Sequence, residues 1–126
     1  MDLSNYTILV SDDSILARKQ LMDVINSYGT GANFVEASNG EEAINQFIKA
    51  KPDLTFLDIV MPVKDGIGAV KGIIAEDDSA NIIIVSSVGT QSQLKAAIEA
   101  GARDFIQKPI DADQVFHVLK SHLGGK

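Results

Sequence analysis

Six polar residues stand just past short apolar runs: Asp12 and Asp13 past Ile8-Leu9-Val10, Asp58 past Leu54-Thr55-Phe56-Leu57, Ser86 and Ser87 past Ile82-Ile83-Ile84-Val85, and Lys108 past Phe105-Ile106. Gathered at one edge, three carboxylates repel by roughly 4 kcal/mol per pair at about 4 Å and an effective dielectric near ~20, and one lysine cannot neutralise them. A cation is implied. Carboxylate oxygens without His or Cys favour a hard ion, and few protein ligands with several waters favour Mg2+ over Ca2+. Asp58 leaves the most central run and faces a hydroxyl, Ser86, and an ammonium, Lys108, so it is the candidate nucleophile. A carboxylate attacks a phosphoryl group to give an aspartyl phosphate when a metal and a cation neutralise the oxygens where charge develops and a hydroxyl adds a hydrogen bond.

Each residue also has an ordinary structural reading. Adjacent Asp residues at a strand-to-helix turn serve as an N-cap and helix-dipole partner. An Asp opening the loop Asp58-Ile59-Val60-Met61-Pro62 is a common turn residue. Ser86 alone is unremarkable, and Lys108-Pro109 fits a surface lysine before a rigid turn, although a cis bond there would aim the lysine inward. The functional reading rests on coincidence: complementary groups follow four of five apolar runs. Other phosphate chemistries fit poorly. The chain has no Gly-x-x-x-x-Gly-Lys-Ser/Thr loop, and Gly66-Ile67-Gly68-Ala69-Val70-Lys71-Gly72 follows the third run and lacks the third glycine of a dinucleotide fingerprint. Gly66 reads as loop and helix start, and His117 and His122 as residues of a last helix rather than catalysts.

The apolar runs, with Phe34-Val35 as the second, are too short for helices and rich in β-branched or aromatic residues, so they predict five strands. Between and after them apolar residues return at three and four: Ala17, Leu21, Val24, Tyr28; Ala43, Ile44, Phe47, Ile48; Ile67, Val70, Ile74; Leu94, Ala97, Ile98; and Val115, Leu119, Leu123. These predict five amphipathic helices. Asn39-Gly40-Glu41-Glu42, Thr90-Gln91-Ser92-Gln93 and Asp111-Ala112-Asp113-Gln114 each place a capping side chain three residues before Glu or Gln. Gly29 and Gly101 fit C-terminal stops.

Strict βα alternation calls for an α/β doubly wound fold, a parallel sheet with helices on both faces. Runs one, three and four are continuously apolar, as central strands are, whereas two and five are short and mixed and belong at the edges. The order 2-1-3-4-5 follows, with a topological switch point between strands one and three where such sheets bind ligands at their carboxyl ends.

The chain's 126 residues suit one domain spanning 1–126. Its 45% hydrophobic and 22% charged residues are ordinary for a globular protein. A net charge of −6 opposes nucleic acid or an anionic membrane as the main partner. The absence of Cys removes disulfides, zinc–thiolate sites and thiol nucleophiles. Residues 1–6 show no basic, then apolar, leader, and no apolar run approaches the roughly 18 residues of a membrane span. The expected setting is cytoplasmic. The Met1 start and short tail, Gly124-Gly125-Lys126, favour a whole chain over an excised piece, with the tail frayed.

The motifs Ile8-Leu9-Val10-Ser11-Asp12-Asp13-Ser14, Leu57-Asp58-Ile59-Val60-Met61-Pro62 with Asp65-Gly66, Val85-Ser86-Ser87, and Ala100-Gly101-Ala102-Arg103-Asp104-Phe105-Ile106-Gln107-Lys108-Pro109 closely resemble those of the receiver domain of two-component response regulators, in particular the single-domain receivers of chemotaxis type. The likeness covers about residues 6–123 and implies a flavodoxin-like fold, itself a standard example of the 2-1-3-4-5 order. It makes Asp58 the phosphoacceptor, and Asp12 and Asp13 the acidic pair holding Mg2+ with Asp58 and the backbone carbonyl of Val60. Ser86 becomes the switch hydroxyl, Lys108 the phosphoryl-binding lysine and Phe105 the switch aromatic. It implies a sensor histidine kinase as donor, and a downstream protein target at the flagellar motor or elsewhere in signalling. It also leaves room for a phosphatase. Such a chain catalyses only its own phosphorylation and dephosphorylation.

Some positions depart from the commoner pattern. Ser11 replaces an apolar or acidic residue, Ser87 replaces Ala, and Phe105 lacks the Tyr hydroxyl. Val60 and Val88 are apolar at the two positions that tune attack by water, which predicts slow self-dephosphorylation. Two charge-assisted hydrogen bonds from Ser86 and Lys108 to the phosphoryl oxygens supply about 3 to 6 kcal/mol. Inverting a roughly 1:99 equilibrium takes about 5.5 kcal/mol, so a switch re-presenting helix four, strand five and helix five is just within reach. The alternatives are a degenerate receiver acting as a constitutive binding module, and a small Asp-nucleophile phosphohydrolase. The latter is disfavoured by Val60, where a carboxylate would be needed at plus two, and by the lack of a cap domain.

Overall fold

In a computed structural model that describes residues 2–87 and 91–123, the apolar runs become strands and the periodic stretches helices. The order is β1 (Thr7–Ser11), α1 (Ile15–Tyr28), β2 (Asn33–Ala37), α2 (Gly40–Ala50), β3 (Leu54–Asp58), α3 (Gly66–Glu76), β4 (Ile82–Ser86), α4 (Gln91–Ala100), β5 (Asp104–Gln107) and α5 (Ala112–Leu123). The five strands form one parallel sheet in the order β2-β1-β3-β4-β5, so the expected doubly wound topology holds. Every residue of β3 and β4 is buried, whereas β2 and β5 are half-exposed edges.

Side chains alternate across the sheet and feed two cores. Ile8, Val10, Leu54, Phe56, Ile83, Val85 and Ile106 pack under α1 and α5 against Leu21, Ile25, Val115 and Leu119. Leu9, Leu57, Ile82 and Ile84 pack on the opposite side against Ala43, Phe47, Val70, Ile73 and Ala97. The inward stripes differ in phase from expectation in three helices. α1 buries Leu21 and Ile25, with Val24 and Tyr28 only partly covered. α3 buries Ala69, Val70 and Ile73, leaving Ile67 and Ile74 at the flank. In α4, Ala97 is buried but Ile98 is exposed. α3 is apolar nearly all round, so periodicity gives it no unique face; contact with the sheet selects one.

The helix starts show which caps form. Asn39 Oδ1 accepts from Glu42 N–H at 2.8 Å, as expected. Glu42, however, reaches past Asn39 to accept from Ser38 N–H at 3.1 Å. Asp111 accepts from Asp113 N–H at 3.2 Å, while Gln114 turns to Gln107 N–H at 3.4 Å and ties α5 to β5. Ser14 and Asp65 cap α1 and α3, accepting from Ala17 and Gly68 N–H. Gly29 ends α1 in extended backbone open to any residue, whereas Gly101 ends α4 at φ 130°, where glycine is favoured. The cap expected at Thr90 and the frayed tail 124–126 lie outside the described residues.

Candidate functional site

Parallel register brings the strand ends to one rim. Ser11 pairs with Leu57, Asp58 with Val85, and Ser86 with Gln107, so Asp12, Asp58, Ser86 and Lys108 rise side by side with a stagger of about one residue. Alternation then sorts them. Asp12, Asp58 and Lys108 lie two residues beyond Val10, Phe56 and Ile106 and share the α1/α5 side, while Ser86 lies two beyond Ile84 on the other. Accordingly, Lys108 Nζ donates to Asp12 Oδ2 at 2.8 Å and to Asp58 Oδ2 at 3.3 Å. The Ser86 hydroxyl makes no hydrogen bond to these three groups among the described residues. Its backbone carbonyl accepts from Lys108 N–H at 2.7 Å, which couples the fourth strand to the lysine. The Lys108–Pro109 peptide is cis.

Asp12 is fixed at every polar atom. Its N–H donates to the Ala37 carbonyl at 3.0 Å, Oδ1 accepts from Ser14 N–H at 2.9 Å, and its carbonyl accepts from Arg18 Nη1 at 2.6 Å. Asp58 Oδ1 accepts from Val60 N–H at 3.4 Å. Asp12, Asp58 and Ser86 are buried, whereas Asp13 and Ser87 are exposed. Burial pushes the Asp58 carboxyl above its ordinary value; the Lys108 ammonium opposes this and the Asp12 carboxylate adds to it. For Lys108, burial lowers the affinity for its proton, but the hydrogen bond to Asp12 and the attraction of both carboxylates outweigh it and leave the pKa raised.

Asp12, Asp13 and Asp58 each offer a carboxylate oxygen, and these atoms lie within 4.8 Å of one another. A single lysine does not balance the three, and an all-oxygen donor set with one exposed member suits a hard, partly hydrated cation of the Mg2+ type. The residues present fit that ion.

The loop after Asp58 is held by close backbone approach. Gly66 N–H donates to the Ile59 carbonyl at 2.8 Å. A Cβ at Gly66 would collide with the Asp58 carbonyl oxygen and stand 2.7 Å from the Ile59 Cα. Gly66→Ala is therefore expected to lower stability by about 3 kcal/mol. Urea unfolding measures this, and a loss under ~1 kcal/mol would show that the loop relaxes freely. Further along, Lys64 N–H donates to the Pro62 carbonyl at 2.7 Å across Val63, whose φ is 67°. A β-branched residue is strained there. Val60 and Val63 of this loop are exposed, as are Ile15 and Leu16 at the start of α1. Val88, paired with Val60 in the expectation of slow phosphoryl loss, lies outside the described residues.

Phe105 is 41% exposed on β5, pointing away from the core. Of the two histidines, His117 is exposed and His122 Nε2 sits 3.2 Å from Asp104 Oδ2, both remote in sequence from the acidic rim. Sequence reasoning missed Arg18 and the close approach at Gly66. A basic residue one helical turn past an acidic pair was the only available signal for the first. The second depends on a contact that no local pattern encodes.

Residues 8–120 match the family model described as the response regulator receiver domain. The chain is 40% identical over 118 residues to a chemotaxis protein CheY of Bacillus subtilis, covering 94% of this chain and 98% of that one. It is 40% identical over 112 residues to the chemotaxis protein CheY of Thermotoga maritima, covering 89% and 92%. Among solved structures, the CheX-CheY-BeF3-Mg2+ complex from Borrelia burgdorferi includes a chain that superposes with a TM-score of 0.85 at 32% identity, covering 96% of this chain and 90% of that one. The response regulator domain of Thermotoga maritima CheB gives a TM-score of 0.83 at 32% identity, covering 96% and 98%. With this sheet order, this acidic rim and these relatives, the chain belongs to the response regulator receiver domain family.

Proposed function

We propose that residues 1–126 form a single receiver domain working as a phosphorylation-dependent signalling switch, with Asp58 as phosphoacceptor. The observation that carries this is the buried Asp58 carboxylate, 3.3 Å from the Lys108 ammonium and grouped with the oxygens of Asp12 and Asp13. A carboxylate oxygen of Asp58 attacks phosphorus in a phosphohistidine of a sensor histidine kinase. The O–P bond forms, the P–N bond breaks, and the imidazole leaves with a proton from solvent. Asp12, Asp13, Asp58 and the Val60 carbonyl would hold Mg2+, which when bound neutralises charge on the phosphoryl oxygens. Lys108 turns from the carboxylates to the phosphoryl group, and the buried Ser86 hydroxyl donates to it. Because Ser86 and Lys108 are joined through the backbone, their movement reaches β5, and Phe105 swings inward from its exposed position.

The face built from α4, β5 and α5 is thereby re-presented to a downstream protein. The relatives named CheY are chemotaxis proteins, which favours that pathway and a target at the flagellar motor or another signalling protein, with a phosphatase able to reset the switch. The chain modifies only itself and makes no product from an outside substrate. A net charge of −6 speaks against nucleic acid. No helix among the described residues is long and apolar enough to cross a membrane; the setting proposed for the switch is the cytoplasm.

Titration with Mg2+ and beryllofluoride, a mimic of the phosphoryl group, tests the switch. Mg2+ alone should shift only amides at the acidic rim, whereas the Phe105 ring signals should move only when both are present, with the ring passing from solvent to a buried environment. A Phe105 signal that stays fixed while the site fills would favour a constitutive binding module.

A further inference from the structure

Arg18 stands in the first two turns of α1 with its side chain only 12% exposed. On charge alone a guanidinium beside a cation site is unfavourable, since like charges repel. Its bonds give it another role. Nη1 donates to the Asp12 backbone carbonyl at 2.6 Å, and Nε donates to Glu36 Oε1 at 3.0 Å. Glu36 lies on β2 opposite Val10, so the guanidinium spans from the neighbouring edge strand to the end of the strand that carries the acids.

The carbonyl that Arg18 grips belongs to the peptide joining Asp12 to Asp13. That unit is planar and rigid, so fixing its oxygen fixes the direction in which Asp13 leaves the chain. The other two acids do not depend on this grip. The Asp12 carboxylate is tied by Ser14 N–H and Lys108, and the Asp58 carboxylate by Lys108 and Val60 N–H. The exposed Asp13 carboxylate makes no hydrogen bond or ion pair among the described residues, yet an oxygen of it lies within 4.8 Å of oxygens of both partners. Only its backbone can hold it there.

We propose that Arg18, steadied by Glu36, is a positioning residue for divalent-cation binding: it locks the Asp12–Asp13 peptide and so aims the Asp13 carboxylate at the acidic cluster. The proposal deepens the reading of this rim as a Mg2+ site and rests on it. Charge and positioning predict opposite signs, which makes the role measurable. If Arg18 acted through charge, its removal would tighten Mg2+ binding; if it positions Asp13, its removal weakens it. Loss of a residue that orients a metal ligand typically costs about 10- to 100-fold in affinity.

The experiment is a titration of the full chain, freed of metal, with Mg2+ alone, read from the amide shifts of Asp13 and Ser14. Arg18→Met should raise the dissociation constant about tenfold or more. Arg18→Lys keeps the charge and the aliphatic stem but not the fork that engages both partners, so it should fold and bind between the wild type and Arg18→Met. In an Asp13→Asn background, Arg18→Met should add little, because the two act as one unit. Unchanged or tighter Mg2+ binding in Arg18→Met, or full additivity with Asp13→Asn, overturns the proposal while leaving the metal site standing. Absence of Mg2+ binding in the wild type overturns both.

Discussion

Incubated with Mg2+ and acetyl phosphate, the wild-type chain gains the mass of one phosphoryl group, and Asp58→Asn gains none. A small acyl-phosphate donor needs no docking partner, so the reaction reports the chain's own machinery. An Asp58 oxygen bonds to phosphorus, the bond from phosphorus to the acetyl oxygen breaks, and acetate leaves. The amide that replaces the carboxylate in the variant is isosteric but a poor nucleophile, and the neighbouring acids do not substitute for it. Asp12 spends both carboxylate oxygens on Ser14 N–H and Lys108, at 2.9 and 2.8 Å. Asp13 is exposed, where water competes for any phosphoryl group, and it makes no ion pair with a lysine among the described residues. Intact mass spectrometry measures the gain, and peptide mapping locates it. A wild type that stays unmodified, or a label on another side chain, would remove Asp58 from the role proposed for it.

Replacing Lys108 by Met should lower the stability of the metal-free protein at neutral pH by roughly 3 kcal/mol, because removing one member of a largely buried ion pair leaves its partners uncompensated. The lysine side chain is 26% exposed and those of Asp12 and Asp58 only 8% and 10%, so solvent cannot take over its role. The pH dependence separates charge from packing. Asp58 titrates above its ordinary value in the folded chain, so the folded state binds its proton more tightly than the unfolded state does. Its contribution is most favourable below the unfolded value of 3.8 and declines as pH rises through the raised folded value. At neutral pH the ionised carboxylate is therefore a cost, which Lys108 moderates.

The lysine's own raised pKa gives stability that is present below 10.5 and lost as pH climbs through the folded value. The gap between wild type and Lys108→Met should thus be widest near neutrality, narrow as pH falls through the raised folded value of Asp58, and narrow again once the lysine deprotonates. Saturating Mg2+ should narrow it at neutral pH by taking over part of the compensation. Urea unfolding across pH, with and without Mg2+, gives the comparison. A gap of constant size at all pH values would assign the loss to the packing of the lysine stem.

Much of the architecture is local in origin and therefore legible in the chain. The apolarity of Ile82–Val85, and of Leu54–Leu57 broken only by Thr55, marks strands covered on both faces, and the mixed character around Phe34-Val35 and Phe105-Ile106 marks edges. Alternation with helical periods then leaves few topologies. The residues that follow those strands were legible for the same reason, because strand ends in such a sheet converge on one rim.

What periodicity could not determine is how long side chains and backbone meet across that rim. Lys108 bridges to Asp12 over 96 positions and to Asp58 over 50, and Arg18 reaches Glu36 over 18. The close approach of Gly66 to Asp58, the positive φ of Val63 and the inward face of α3 likewise leave no periodic trace. A hydrophobic pattern records which face of an element avoids water. The partner of a flexible charged side chain is set by where other segments come to rest once the two cores have closed, so only the tertiary structure decided it.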